Sequence, residues 1–526
     1  MSSRKRPKRK TRPPKKPNAV YQFTDSWDIL AQAIREIHKK NASILGFEGL
    51  YRVAFRIVLH KNGDKLYNGV REIITQHLEE VAVSQVVPAF PLSGASSSQT
   101  NPNGAGRANF LKVLKTVWED HITCMLMLSD ILKYMATSNN YTIIKDRVYA
   151  KPANVPLVYD LGLDLFRDII VRSQNYPIQN HLLEVLLQQI MLERENEIID
   201  RTNVKASIDM LLELTDASTK DTIYAIDFEN KFLESSSEYY RVEGQMLVGE
   251  YDTSDYMKEV DKRLNKEEQR VGHYLSPTTE PKIRNIVEEE LISKHLKTII
   301  EKGLIPVLRN EKMNDLGRMY KLFGRVVKGH DEMKSAISDY IRELGKAINE
   351  TVTSNTTAEG GNAVSVDKQT EVTVALRWVQ KVLDLSDKFD KVQNLALSND
   401  ETFQTSFNEA FEYFINKNPK SPEFISLFID DNLKKGLKGE TEKEIGSVLN
   451  KAITLFRFVE EKDVFERYYK QHLAKRLLLG HSVNDGAEKR TISKLEIVSG
   501  YQFTTKLEEM FNNMRISSNT MSDFKE

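Results

Sequence analysis

The sequence predicts an all-α chain, and three observations carry that prediction. Proline is confined to punctuation. Apolar residues recur every three or four positions through long proline-free stretches. Strand-like alternation of any length is missing before the last thirty or so residues. Proline breaks a helix interior because it lacks an N–H and clashes with the preceding turn. Of the 15 prolines, four stand in the first 17 residues (Pro7, Pro13, Pro14, Pro17) and three in 84–107 (Pro88, Pro91, Pro102). The others come singly or in close pairs: Pro152 and Pro156, Pro177, Pro277 and Pro281, Pro306, Pro419 and Pro422. None falls between 178 and 276 or between 307 and 418, which leaves room for long helices.

Apolar periodicity fills that room. Phe110, Val113, Leu114, Val117, Trp118, Met125, Leu128, Ile131, Leu132 and Met135 line one face of a helix of nearly thirty residues. A second stripe is Ile283, Ile286, Val287, Leu291, His295, Leu296, Ile299 and Ile300. A third runs through Leu455, Phe456, Val459, Val464, Phe465, Tyr468, Tyr469 and Leu473. Two stretches, 84–107 and 351–370, are rich in Ser, Thr, Gly and Asn. Segments of that kind bury too little apolar surface to offset chain ordering, so both are expected as disordered loops inside a domain. The string DLGLDLFRD (Asp160 to Asp168) resembles DLGRMYKLFGR (Asp315 to Arg325), a hint of stacked helical repeats.

Length and composition bound the class. A chain of 526 residues exceeds one hydrophobic core and divides into three or four domains. No run of 18 apolar residues occurs, so no membrane span is expected, and the N-terminus lacks the apolar core of a signal peptide. The single cysteine, Cys124, excludes an intramolecular disulfide and a Cys-based zinc site. Within ITCMLML it reads as a small buried hydrophobe in an intracellular, reduced setting.

The net charge of zero hides an asymmetry. Residues 1–16 hold nine Lys or Arg and no acid, leaving 66 basic against 75 acidic residues in the rest. A mildly acidic body argues against nucleic acid as the main partner. The tail itself reads either as a disordered solvating segment, as a nuclear-import signal, or as a phosphate or membrane-surface binder acting by counterion release.

Signs of catalysis are missing. There is no GxxxxGK[ST] loop, no GxGxxG after a strand and no HExxH, and the ten histidines are scattered. Gly360-Gly361 lies in low-complexity sequence. His295 sits on an apolar stripe and reads as a core histidine, not a ligand. Acidic groups such as Glu288 to Glu290, Glu508 and Glu509 read as solvated helix faces. No cofactor or metal is expected.

The most informative strings begin at Ser426: SLFIDDNLKKGLKG, then LFRFVEEKDVFERYYKQHLAKRLL, then ISKLEIVSGYQFTTKLEEMF. Upstream stand SWDILAQAIREIHKKNASILGFEGLYRVAFRIVLHKNGDKLYNGV, DLGLDLFRDIIV and LISKHLKTIIE. Over roughly 24–526 these strings resemble the cullin family, and within it the cullin-3 type. The resemblance implies an elongated solenoid of three five-helix repeats followed by a four-helix bundle. The implied divisions are a basic tail (1–23), repeats at 24–152, 153–276 and 277–388, and a bundle at 389–526. It further implies a non-catalytic scaffold of a ubiquitin ligase. Its first repeat would hold a BTB-domain adaptor, and a more C-terminal domain would hold a RING protein, so that substrate and charged conjugating enzyme meet at high effective concentration. The family's RING-binding α/β segment, winged-helix domains and modifier-acceptor lysine have no counterpart before Glu526, so the sequence as it stands is expected to bind adaptors without supporting ubiquitin transfer. The RING partner is expected only for a longer form. The expected location is cytoplasmic, nuclear, or both.

The same resemblance assigns the docking residues. In LGFEGLYRVAF (Leu45 to Phe55), Phe47, Leu50, Tyr51, Ala54 and Phe55 recur at helical spacing, more apolar positions than one core stripe needs. Leu50 and Ala54 suit the core side. Leu45, Phe47, Glu48, Tyr51 and Phe55 match the family's adaptor contacts. Gly49 costs a helix interior about 1 kcal/mol relative to alanine, so it marks a helix start or leaves room for a partner. The family's second contact helix matches Met127 to Met135, with Tyr134 as its aromatic contact. Arg147 follows an extra run, ATSNNYTII, and is carried over with it. Tyr21 and Phe23, in 17–23, are placed by the resemblance in a groove on the adaptor. An adaptor-binding module without ligase activity, an unrelated helical-repeat tether and a tail-driven nucleic-acid binder are the competing readings.

Overall fold

The computed structural model describes residues 22–91, 102–133, 156–357, 368–435, 442–479 and 485–525. The basic tail 1–16, Tyr21 and Met135 lie outside them. Among the described residues there is no β-strand, only an isolated bridge between Thr215 and Thr222. None of the described helices is long and apolar enough to cross a membrane. Packing divides the chain into two compact units, one of Met1–Ser236 with Lys266–Ile283 and one of Ser237–Asn265 with Arg284–Glu526.

The first unit opens with α1 (Phe23–His38), α2 (Phe47–Leu59), α3 (Gly63–Val81) and α4 (Pro102–Ile131). α1, α2 and α3 pack on one another, α2 and α1 also pack on α4, and α5 (Val158–Phe166) packs on α3 and α4. The first apolar stripe is the reason α4 sits at the centre. Phe110, Leu114, Met125 and Leu128 are fully buried, and Val117, Trp118, Ile131 and Leu132 nearly so. Cys124 is buried on the same helix with Sγ 3.7 Å from the Ile37 carbonyl, and burial pushes its thiol up to about 11. It is a packing residue, as its apolar neighbours imply.

Helix ends recur in one form. Lys40, Lys61, Asn196 and Glu311 each adopt a left-handed conformation just past a helix (φ 64, 61, 69 and 51°). The next residue reaches back to a carbonyl five positions earlier, as Asn41 N does to Glu36 O at 2.9 Å and Asn62 N to Ile57 O at 3.2 Å. This closure satisfies orphan carbonyls, and with a side chain present it tolerates conformational strain that glycine avoids.

In the second unit, Gly329–Thr357 packs on Glu401–Asn416, while Ser421–Lys435 packs on both Lys368–Leu395 and Lys462–Leu479. Gly345 allows the first of these approaches, because a Cβ there would lie 2.1 Å from the Phe414 ring. The two related strings play similar parts in their own units. Each begins a helix, Val158–Phe166 or Met313–Phe323, with Leu161 and Leu316 buried, Gly162 turned against Met125 of α4 and Gly317 against the backbone of Ala396.

Three expectations need correction. Residues 84–91 are not a loose loop: Val86 is fully buried, and the Phe90 ring lies 5.9 Å from Phe110 and 4.5 Å from His181. Composition averaged over 84–107 hides this apolar cluster. The helices Gly329–Thr357 and Lys368–Leu395 likewise run into the second low-complexity stretch, leaving 358–367 outside the described residues. Finally, the second and third stripes are not single helices. The second is broken after Leu291 by a short 3-10 turn and a π-helical turn at Ile300–Leu304. The third is interrupted between Phe456 and Lys462. Both keep their buried faces, since Val287, Leu291, Phe456, Phe465, Tyr469 and Leu473 are fully buried. Tyr501–Lys525 is helical too, with Phe503, Leu507 and Phe511 buried at a spacing of four.

Candidate functional site

α2 carries the candidate surface. Gly46 precedes its first residue, Phe47, so Gly49 stands in the first turn, with no atom within 4 Å of where a Cβ would be. Glu48 in that turn complements the positive end of the helix dipole. It also accepts from Arg52 at 2.5 Å, one turn on, and both side chains are largely exposed. Leu50, Ala54 and Ile57 are buried at spacings of four and three and anchor the helix. Phe47, Tyr51 and Phe55 form a second stripe, displaced by one position and hence turned about 100° from the first. Phe47 is 39% exposed, and Tyr51 and Phe55 are half-buried. Leu45, in the extended residue between the 3-10 turn Ala42–Ile44 and α2, is half-buried as well.

α2 therefore shows an apolar ridge flanked by an exposed ion pair. Among the apolar residues exposed in the same module but not singled out from the sequence are Ile44 (73%), just before the ridge, and Leu126 on α4 (55%). Ile44 precedes the periodic stretch, and Leu126 falls off the α4 stripe, so helical spacing flagged neither. Met127 is half-buried, while Tyr134 and Arg147 lie outside the described residues. Phe23 stacks on Trp27 (centroids 6.4 Å apart), with the Lys65 ammonium 5.6 Å from its ring. The ridge has the composition of a docking surface, apolar and aromatic at the centre with charge at the side. Among the described residues no three His, Cys, Asp or Glu side chains are grouped to hold a metal.

Each unit is braced internally by buried arginines. In the first, Arg194 meets Glu267 at 2.9 Å and the Ser236 hydroxyl at 2.8 Å. Arg270 reaches Glu193 at 2.9 Å and also Glu267, while Tyr274 donates to Glu193 at 2.6 Å. In the second, fully buried Arg476 donates to Glu488 through two nitrogens (2.8 and 3.0 Å) and to Asp430 at 2.5 Å. Burial alone would lower the Arg476 pKa, but the Glu488 and Asp430 carboxylates outweigh it and leave it raised. Asp430 and Arg476 both lie in the information-rich strings after Ser426, which sequence reasoning read as family markers without assigning these residues a role. Bidentate geometry fixes helix register, because a shifted helix would leave a buried charge unpaired. His295, expected in the core, is half-buried with Nε2 3.0 Å from where a Cβ on Gly244 would sit, and burial lowers its pKa.

Comparison with known proteins places this geometry. The profile of the cullin alpha solenoid domain matches residues 27–521. The chain is 44% identical to cullin-3 of Dictyostelium discoideum over 95% of its own length and 59% of that protein. It is 41% identical to cullin-3A of Arabidopsis thaliana (95% and 62% covered) and 35% identical to cullin-3 of Schizosaccharomyces pombe (98% and 66% covered). It thus spans about three-fifths of the length of the first two relatives. A profile matched over almost the whole described chain, with cullin-3 relatives at this level of identity, settles its kinship: the chain belongs to the cullin family.

Proposed function

We propose that the protein is a non-catalytic scaffold of a ubiquitin ligase that holds a BTB-domain substrate adaptor on the α2 ridge. The observation that carries the proposal is the split of α2 into two stripes. Leu50, Ala54 and Ile57 fill the core side, and Phe47, Tyr51 and Phe55 form a second stripe beside it that is partly exposed. Aromatic side chains that are half-exposed on a rigidly packed helix supply contact area with little rotamer entropy to lose on binding. The flanking Glu48 and Arg52 supply polar rim contacts that set orientation more than affinity. The buried arginine networks support the scaffold reading, since a spacer works by holding its modules stiff. Catalysis would belong to the partners.

Titration calorimetry of purified BTB domains against the wild type and the Tyr51→Ala/Phe55→Ala double variant tests this reading. Loss of two aromatic anchors should weaken binding on the order of 100-fold, with helical content unchanged. Equal affinity for both proteins would sink the assignment.

A further inference from the structure

The same module holds a feature that docking does not use. His38 from α1 and His77 from α3 stack face to face, with centroids 4.1 Å apart and planes 3° from parallel. His121 from α4 is buried nearby and meets the Gly162 carbonyl of α5 through Nε2 at 2.9 Å. A carbonyl only accepts, so Nε2 carries the proton and Nδ1 is a bare lone pair. That Nδ1, and Nε2 of His38, are buried with no hydrogen-bond partner. An additional proton on either nitrogen would have no acceptor, and charging both members of the stacked pair would set two cations ring to ring.

The surrounding charges only partly offset this. α3 contributes Glu80 and α4 contributes Asp120, which both favour a charged His77. Asp120, however, is already paired with Lys40 at 2.8 Å. Cys124 on α4 is neutral, its thiol pushed up by burial. On α2, Glu48 and Arg52 pair with each other and Arg56 is exposed. Asp164 of α5 pairs with Arg167, leaving Asp160 and the Gly162 carbonyl on that helix. Burial lowers all three histidines, His38 to about 3 and His121 to about 4.

We propose that His38, His77 and His121 form an acid-sensitive latch, in which charging any of them unseats the packing of α1, α3 and α4 on which α2 rests, so that the first module loosens in mildly acidic surroundings. Release of a bound partner through this loosening rests on the docking reading above; the loosening itself does not. The sign follows from linkage. Each ring takes a proton more readily unfolded than folded, so stability is intact above the ordinary histidine pKa and falls as pH drops below about 6.5.

The test is calorimetric unfolding of the whole chain from pH 7.5 to 5, with hydrogen exchange of residues 23–38 and 63–81 followed alongside after correction for intrinsic rate. The His38→Phe/His77→Phe variant keeps a flat aromatic stack without titrating groups, and His77→Gln serves if that protein fails to fold. The wild type should lose about 5 °C or more of melting midpoint between pH 7 and 5, with protection in both segments falling. The variant should lose less than half as much. An equal fall in both proteins, or none in the wild type, would overturn the latch. A BTB domain that stays bound while the segments loosen would rule out release through the latch, and a BTB domain that never binds would sink the docking reading; the latch itself stands in both cases.

Discussion

The α2 ridge and the Arg476 cluster are built from opposite materials. The ridge leaves aromatic surface partly in water and confines its charges to an exposed pair one turn apart. The cluster removes a guanidinium and two carboxylates from water altogether and surrounds them with Tyr469 and His472. Surface ion pairs contribute little and buried ones are costly if broken, so the first region can exchange partners cheaply while the second tolerates only one arrangement. The contrast suggests a division of labour. Apolar surplus marks where a protein meets others, and buried charge marks where it must not move.

The strongest way to break that comparison is Arg476→Met. It leaves Asp430 and Glu488 buried without their shared cation, and we expect a loss of about 3–5 kcal/mol in urea unfolding. The further replacements Asp430→Leu and Glu488→Leu should recover most of it. If Arg476→Met alone costs under about 1 kcal/mol, the cluster does not fix register. Next in size is Gly345→Ala, which presses a methyl group into the Phe414 ring and should cost about 1–3 kcal/mol; thermal unfolding measures it.

Smaller effects sharpen the ridge side. Gly49→Ala meets open space and should stabilise the chain by up to about 1 kcal/mol. If BTB affinity falls while stability rises, Gly49 is there for close approach; unchanged affinity identifies it as a first-turn residue only. Glu48→Gln removes an exposed i,i+4 pair and should change stability by no more than about 0.5 kcal/mol, in a salt-dependent way that denaturation at low and high ionic strength would reveal.

Much of the candidate ridge was legible before any coordinates. The assignment of Leu50 and Ala54 to the core follows from 3.6-residue periodicity, whereas Leu45, Phe47, Glu48, Tyr51 and Phe55 were named as contacts by the family resemblance. Ile44 escaped because it lies in a 3-10 turn ahead of α2, where that periodicity does not apply. Leu126 escaped because an exposed leucine looks like any other apolar residue in a rich run. The cluster of Val86 and Phe90 escaped because glycine and serine farther along the segment dominated its composition.

The sequence by itself determined the helical class, the family and the inward face of α2. Each of these is written in neighbouring residues, through the fixed rise and turn of a helix or the order of a string. Only the tertiary structure decided that Arg476 would meet Asp430 across 46 positions, and that histidines from three helices would gather in one partly buried cluster. Such meetings depend on which helices pack and at what register. Helical period says which face is buried, but it does not name the neighbour that buries it.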